Sequence, residues 1–387
     1  MNISIKIKEN KYNLNLDDLI VMGKRINNSK RNFLFISKVL GKHIEARPNV
    51  CKEIGKKLAS LIYGDKQKKL PYISDKKVCI LGFAETATGL GMAVAAHIKD
   101  CYYITTTREE IIERNSILKF EEEHSHATTH KCFPLDENKL INAEKIILVD
   151  DEITTGKSMI NIIKELKMAT KVRDFTILSI LDWRNEEYRK EYNKLIVEEK
   201  ISLEVLSLIS GDIEINDKST YIDNDDVVLN ETIDVIECSG LDRIKIKTSY
   251  NELGESYLLN TGRFGVDFSA IELLEKQCKD IASKIQELIK EDKKVLVLGH
   301  GENIYIPCRI AEYIQGDVYF KSTTRSPIYC EEKEGYPIRE KHVFYHKGVK
   351  FYFYNKSKIE KEYDKVILIT EDDLSIKLTN NMIAVRI

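Results

Sequence analysis

Very little in this sequence is in excess, and its shortages narrow the reading first. Across 387 residues, 60 lysines and arginines stand against 62 aspartates and glutamates, giving a formal net charge of -2, and the basic residues are spread along the chain without gathering into one arm. A dedicated nucleic-acid binder concentrates its cations, so that class is disfavoured. The eight cysteines, at 51, 79, 101, 132, 238, 278, 308 and 330, include no C-x-x-C pair, and several lie inside apolar runs. This excludes the common zinc and dithiol signatures and fits reduced, buried thiols. No window reaches the apolar length of a membrane span, and the opening stretch MNISIKIKENKYNLNL lacks the apolar core of a signal peptide. A cytoplasmic setting with no membrane partner is expected. No proline- or glycine-rich linker stands out either, although 387 residues exceed what one hydrophobic core usually serves, so two domains are expected.

What is present is a rhythm. After the alternating ISIKIK and the basic stretch 27–48, Val50, Ile54, Leu58, Leu61 and Ile62 fall at helical spacing. Strand-like runs follow at 78–82, 102–105, 145–150, 175–181 and 203–208, with helical patterns near 89–98, 156–168 and 184–199. Short apolar strands separated by helices predict an α/β doubly wound parallel sheet. The stretch from 107 to about 143 breaks that rhythm, and residues 211–248 are polar and rich in Asp and Asn. The division expected is a lead-in over 1–29, a first α/β domain over 30–212, an inter-domain region over 213–250 and a second α/β domain over 251–387.

The second domain repeats the first. CILGFAETATGLGMAVAAHIKDCYYITTTRE aligns with LVLGHGENIYIPCRIAEYIQGDVYFKSTTRSP without a gap: Gly82 and Glu85 match Gly299 and Glu302, and Arg108 and Arg325 each lie 26 residues after their glycine. Further on, KVILITEDD echoes KIILVDDE. Equal spacing of Gly, Glu, Thr-Thr and Arg points to duplication. The copies are unequal, since no Thr-Thr-Gly-Lys turn follows Glu371 and Pro307 replaces the glycines of the first copy's loop.

The chemistry concentrates in KIILVDDEITTGKSM, residues 145–159. Ligands of an open parallel sheet bind beyond the carboxyl ends of its strands. There, Thr154, Thr155, Gly156, Lys157 and Ser158 offer backbone N–H groups, hydroxyls and a helix dipole to an anion. Two carboxylates beside such a cradle would repel phosphate and suit the vicinal hydroxyls of a sugar. A ribose 5-phosphate group satisfies both. The P-loop alternative lacks its G-x-x-x-x-G-K spacing.

The segment resembles the binding motif of type I phosphoribosyltransferases, which hold 5-phosphoribosyl 1-pyrophosphate (PRPP) in this way. Glu152 stands where the common pattern has an apolar or small residue. The resemblance implies that Asp150 and Asp151 contact the ribose diol, that residues 154–158 take the 5-phosphate, and that magnesium travels with the donor, held mainly by its phosphates. It also implies that GFAETATGLG, through Ala84, Glu85 and Thr86, receives pyrophosphate, with Glu85 positioning a magnesium-bound water. By the same resemblance, the irregular region closes over the leaving group, with Arg108 on pyrophosphate and His124, His126 and His130 as proton donors or hydrogen-bond partners. A metal-binding H-x-H-x-x-x-H cluster and a plain solvated loop stay open as alternatives for 119–130.

Acceptor candidates are Trp183 and Arg184 in SILDWRNEEYR, against a tryptophan packed as core. Lys38, Lys42 and His43 in KRNFLFISKVLGKH belong either to a hood over the acceptor or to an edge strand blunted by lysines. KSTTRSPIYC carries Thr323, Thr324, Arg325 and Ser326, typed for phosphate or carboxylate recognition, with Glu302 as a fifth member of that second candidate site. With TGRFG, FLFISKVLGKH and EEEHSHATTH it resembles the two-domain phosphoribosyltransferase proteins with a C-terminal Thr-Arg-Ser-Pro domain, found in bacterial tellurite and stress-resistance gene clusters. That implies a transferase that ribosylates a nitrogenous small-molecule acceptor, releases pyrophosphate and helps make a nucleoside-like metabolite alongside other enzymes of the cluster. A homodimer is left open. The rival reading is a PRPP-sensing regulator that binds nucleic acid without chemistry.

Overall fold

The structure, a computed structural model, describes residues 2–28, 31–64, 66–121, 129–216, 219–223, 225–289 and 293–387. Its first sheet has seven strands, in the order Asn2–Glu9, Ser202–Asn216, Asp174–Asp182, Lys145–Ile153, Val78–Gly82, Tyr102–Thr105 and Val266–Asp267. The five inner strands run parallel and the two edges antiparallel. Every residue of Val78–Gly82 is buried, as a strand covered by helices on both faces requires. The helices Pro48–Tyr63, Ala87–Ala95, Lys157–Ala169 and Glu186–Glu199 lie close to where the periodicity places them.

A second sheet holds Val235–Glu237, Met382–Arg386, Lys365–Thr370, Lys294–His300 and Asp317–Thr323 in that order, all parallel. Its last four strands follow the same order as Asp174–Asp182, Lys145–Ile153, Val78–Gly82 and Tyr102–Thr105, so the repeat in the sequence is also a repeat of topology.

Three segments differ from their sequence reading. The opening strand Asn2–Glu9 does not lead in from outside: it is the edge of the first sheet, paired with the long strand Ser202–Asn216. The polar region after it is not a spacer, because Val235–Glu237 pairs with Met382–Arg386 inside the second sheet. In the irregular region, Leu118–Glu121 and Thr129–Cys132 form a hairpin. Polar composition hid these strands, since each is an edge or a short ribbon with one face toward water.

The halves meet through helices. All nine residues of Ala87–Ala95 are buried. Leu90 shares one apolar cluster with Leu58, Leu274, Ile306 and Ile310. Small residues set the spacing: a Cβ on Gly55 would lie 2.5 Å from the Ala93 carbonyl carbon, and one on Gly89 would lie 2.8 Å from Ile304. Gly89, in the GFAETATGLG segment, lets the first half's helix approach the second half. All eight cysteines are buried and free. Among the described residues no helix is long and apolar enough to cross a membrane.

Candidate functional site

The strand Lys145–Ile153 carries Asp150 and Asp151 to the carboxyl edge of the first sheet, and the chain then turns through Thr154 and Thr155 into the helix Lys157–Ala169. Gly156 makes the turn with φ of 74°, and a Cβ there would sit 2.3 Å from the Tyr192 hydroxyl, which donates to the Gly156 carbonyl at 2.8 Å. Only glycine satisfies both constraints. Gly156 at the N-cap has no side chain to cap the helix, and the Lys157 N–H makes a long bond to Thr155 Oγ1 at 3.4 Å, so the N-terminal dipole of the helix remains available to an anion. Asp150 Oδ1 accepts from the Asp151 N–H at 2.9 Å, which fixes the first carboxylate.

These groups line a cavity of about 360 Å³. Its walls take Thr154, Thr155, Gly156 and Ser158 from the turn, and Ala84, Glu85 and Thr86 from the loop after Val78–Gly82. Lys42 closes that loop, with its Nζ 2.9 Å from Thr86 Oγ1 and 3.5 Å from Glu85 Oε2. Arg108 also lines the cavity, with Nη1 4.0 Å from Glu85 Oε2. Burial would raise the pKa of Glu85, but Lys42 and Arg108 outweigh it and leave the carboxyl below its usual range.

A third wall comes from the second half. Arg325, Ser326 and Pro327 line the same cavity. Glu85 anchors them, accepting from Thr324 Oγ1 at 2.8 Å and from the Arg325 N–H at 3.2 Å. The repeat makes the exchange mutual: Glu302 accepts from Thr107 Oγ1 at 2.6 Å and from the Arg108 N–H at 2.8 Å. Glu85 therefore spends both oxygens on the partner half, which argues against its holding a magnesium-bound water.

Sequence reading missed the hairpin Ile20–Lys24 and Phe33–Ser37 as a source of charged site residues. The connection between its strands brings Arg25 and Arg31 to the cavity. Arg31 is ion-paired with Glu152 and reaches Thr154 Oγ1 at 3.2 Å. This partner accounts for the unusual Glu152, whose pKa burial and Asp151 nonetheless raise. His43, grouped in the sequence with Lys38 and Lys42, is buried in the cavity wall.

Several expected site residues lie elsewhere. Trp183 packs against Phe35, with ring centroids 5.8 Å apart, and does not line the cavity. Arg184 is buried and clamps Asp182 at 2.9 and 2.8 Å, with its guanidinium over Tyr192. Lys38 is exposed and donates to the Asp17 carbonyl. Lys157 begins the helix without lining the cavity. His130 is buried against Thr106, with Nδ1 3.1 Å from its hydroxyl, while His124 and His126 lie outside the described residues. Glu302 and Thr324 support the walls from behind, while the Thr323 hydroxyl lies 2.8 Å from His300 Nδ1, away from the cavity.

The matching place in the second half is occupied by the protein's own ion pairs. Arg325 binds Glu109 at 2.7 Å, Arg263 binds Glu371 at 2.8 Å, and Asp372 takes Lys347 and His346, each at 2.8 Å. His346, Asp372 and Asp373 offer ligand atoms within 4.8 Å of one another, but the ammonium already on Asp372 opposes a cation. One position adds to the asymmetry already given by the missing Thr-Thr-Gly-Lys turn. Glu109 follows Arg108 where Ser326 follows Arg325, so a carboxylate fills the second site and only a hydroxyl faces the first.

A family described as "Phosphoribosyl transferase" matches residues 19–212, and one described as "TRSP domain C terminus to PRTase_2" matches residues 260–385. No curated protein matches the chain. Solved structures similar to the first half include an APRTase from Giardia lamblia, 16% identical, covering 49% of this chain and 93% of that one with a TM-score of 0.31. An adenine phosphoribosyltransferase from Saccharomyces cerevisiae is 12% identical, covering 50% and 96% with a TM-score of 0.30. A hypoxanthine-guanine phosphoribosyltransferase from Bacillus anthracis is 16% identical, covering 37% and 73% with a TM-score of 0.24.

Proposed function

The chain belongs to the phosphoribosyl transferase family and is a pentosyltransferase, and from that premise we propose that it transfers the 5-phosphoribosyl group of PRPP to a nitrogenous small-molecule acceptor with release of pyrophosphate. The observation that carries this reading is that one cavity collects the phosphate cradle, Asp150 with Asp151, and the 84–86 loop backed by Lys42. A phosphate at the N-terminus of Lys157–Ala169 meets the positive end of the helix dipole beside the Thr154, Thr155 and Ser158 hydroxyls. The ribose diol donates to Asp150 and Asp151, and pyrophosphate lies toward Thr86, Lys42 and Arg108. The product is a nucleotide- or nucleoside-like metabolite.

The chain's own residues act by position and field. Holding the sugar at two ends sets the anomeric carbon in one place, so attack becomes intramolecular in effect. The cations of Lys42 and Arg108 offset the charge that grows on the departing pyrophosphate. Asp150 and Asp151, close to the sugar, suit a transition state in which the ring carries positive charge. No side chain has to become a covalent intermediate. The hard carboxylate oxygens of Asp150 and Asp151, both on the cavity wall, fit magnesium brought in by PRPP. When bound, magnesium supplies further charge neutralisation to the pyrophosphate.

Calorimetric titration with PRPP and magnesium, followed by a pyrophosphate-release assay across nucleobases and a cell metabolite extract, tests the proposal. Saturable binding and acceptor-dependent release are expected. Binding without release would instead favour a PRPP sensor, and absence of binding would remove the donor assignment.

A further inference from the structure

The anion cradle is short of positive charge. Asp150, Asp151 and Glu152 run into it and line the same cavity, while Lys157 begins the helix without lining the cavity. A helix N-terminus offers about half a unit of positive charge, against about 1.5 to 2 negative charges on a phosphate monoester near neutral pH. The turn alone leaves the balance negative, so a phosphate seated there needs a cation from elsewhere in the chain. Arg31 reaches the turn from the connection between the strands Ile20–Lys24 and Phe33–Ser37. Its Nη1 donates to Thr154 Oγ1 at 3.2 Å, its Nη2 pairs with Glu152, and the side chain, 13% exposed, lines the cavity. The guanidinium lies 5.1 Å from the centroid of the Phe33 ring, which helps to fix its plane. Each terminal nitrogen of an arginine carries a pair of N–H bonds, so Nη1 can serve the Thr154 hydroxyl and an anion beside it together.

The backbone that carries Arg31 is fastened to the second half and to the segment leading into it. At its root, the Lys24 N–H donates to the Tyr336 hydroxyl at 3.0 Å, and the Lys24 carbonyl accepts from the Tyr329 N–H at 3.0 Å. The Lys24 ammonium lies 4.9, 5.5 and 5.2 Å from the ring centroids of Tyr221, Tyr329 and Tyr336. Arg25 then pairs with Ile328, and Ile26 with Tyr221. Past Arg31, Asn32 Nδ2 donates to the Ser219 carbonyl at 2.9 Å. The connection is built as a strap, with its backbone on the second half and a guanidinium on the first half's cradle.

We propose that Arg31 is a ligand of the donor's 5-phosphate, held over the Thr154–Ser158 turn by Glu152, and that the second half takes part in donor binding by fastening the strap that carries Arg31. This rests on the transferase reading of the same cavity. It gives Glu152 a task, since a carboxylate at that position orients a cation that the turn lacks, and it makes the Thr-Arg-Ser-Pro half a structural part of the donor site. A guanidinium fork on phosphate oxygens also favours a 5-phosphorylated sugar over the free sugar. Glu152 and Tyr336 are positioning residues.

The test is calorimetric titration of the full chain, in magnesium, with PRPP and separately with inorganic pyrophosphate. Arg31→Ala is expected to raise the Kd for PRPP by about ten- to a hundredfold, the scale of a hydrogen bond to a charged group, and the Kd for pyrophosphate by less than about twofold. Arg31→Lys should recover part of the loss, because it restores the charge without the fork. Tyr336→Phe, outside the cavity, should weaken PRPP binding by about threefold and leave pyrophosphate binding unchanged. Circular dichroism and melting temperature show whether each variant is folded. If Arg31→Ala does not fold, Arg31→Lys carries the test and should still bind PRPP less tightly than wild type. Unchanged or tighter PRPP binding in the Arg31 variants would overturn the inference while leaving the donor site standing, as would equal losses for PRPP and pyrophosphate. Unchanged PRPP binding in Tyr336→Phe would overturn the second half's share in it. Failure of the wild type to bind PRPP would overturn the transferase reading and the inference with it.

Discussion

Glu85 and Glu302 are exchanged across the boundary between the halves: each carboxylate binds the Thr-Arg turn of the other copy, Glu85 on Thr324 and Arg325, Glu302 on Thr107 and Arg108. Each carboxylate has its hydrogen bonds satisfied by the other half, so each turn is held from both sides of the boundary, by its own sheet and by the opposite glutamate. Their environments differ. Lys42 and Arg108 outweigh burial at Glu85, whereas burial, with Glu109 adding to it, pushes Glu302 upward despite Arg325 and Arg263.

That exchange predicts a stability cost outside the cavity. Glu302→Ala leaves the Thr107 hydroxyl and the Arg108 N–H without an acceptor, and should destabilise the chain by about 3 kcal/mol in urea unfolding. Glu302→Gln should cost less, because the amide still accepts and the repulsion with Glu109 is gone. Equal losses in the two variants would show that the charge, not the geometry, matters.

Replacing Asp150 and Asp151 together by Asn removes the negative charge beside the sugar and leaves shape nearly constant. Turnover measured by pyrophosphate release should fall by at least about a hundredfold, with the circular dichroism spectrum and melting temperature close to wild type. Undiminished turnover would take both residues out of the site.

Gly156→Ala should affect binding and folding together. The positive φ and the 2.3 Å approach to the Tyr192 hydroxyl both oppose a Cβ, at a cost of about 1–3 kcal/mol, and the shifted turn should weaken PRPP binding in calorimetry. Tyr192→Phe combined with Gly156→Ala relieves only part of the clash, since the ring carbons lie at 2.9 Å. The double variant should therefore remain weaker than wild type.

Glu275 sets an acid limit on stability. On the helix Phe268–Ile289 it receives Arg309 at 2.8 and 2.9 Å and the hydroxyls of Tyr305 and Tyr313 at 3.0 and 2.9 Å. Burial opposes its ionisation, but Arg309 and Lys52 dominate and bring its pKa down to about 2. Because the folded value lies below the unfolded one, the stabilisation is complete above the ordinary glutamate range and is lost as pH falls from about 4.5 through about 2. At about 1.4 kcal/mol per unit, its upper limit is about 3 kcal/mol. Urea midpoints measured from about pH 6 down to about pH 2 should fall more steeply for wild type than for Glu275→Gln.

Much of this could be read in the sequence because it is local. Apolar periodicity fixed the parallel strands and their helices, the junction KIILVDDEITTGKSM located the cradle by the residue types it needs, and equal spacing of Gly, Glu, Thr-Thr and Arg revealed the repeat that the two sheets share. Edge strands were missed because Asn2–Glu9 and Val235–Glu237 take their structure from distant partners. Trp183 and Arg184 have the composition of an acceptor site, but packing on Phe35 and pairing with Asp182 use them up.

Sequence by itself determined the types of chemistry, since a glycine turn, a carboxylate pair and a Thr-Arg-Ser-Pro turn are each complete within a few residues. Only the tertiary structure decided that they belong to one cavity. Arg325 and Ser326 stand far along the chain from Thr155 and Ser158 of the cradle, yet all four line the same walls. No pattern along the chain can fix such a separation in space. It is fixed by the apolar helices that bring the halves together and by two glutamates that each find hydrogen bonds on the other side.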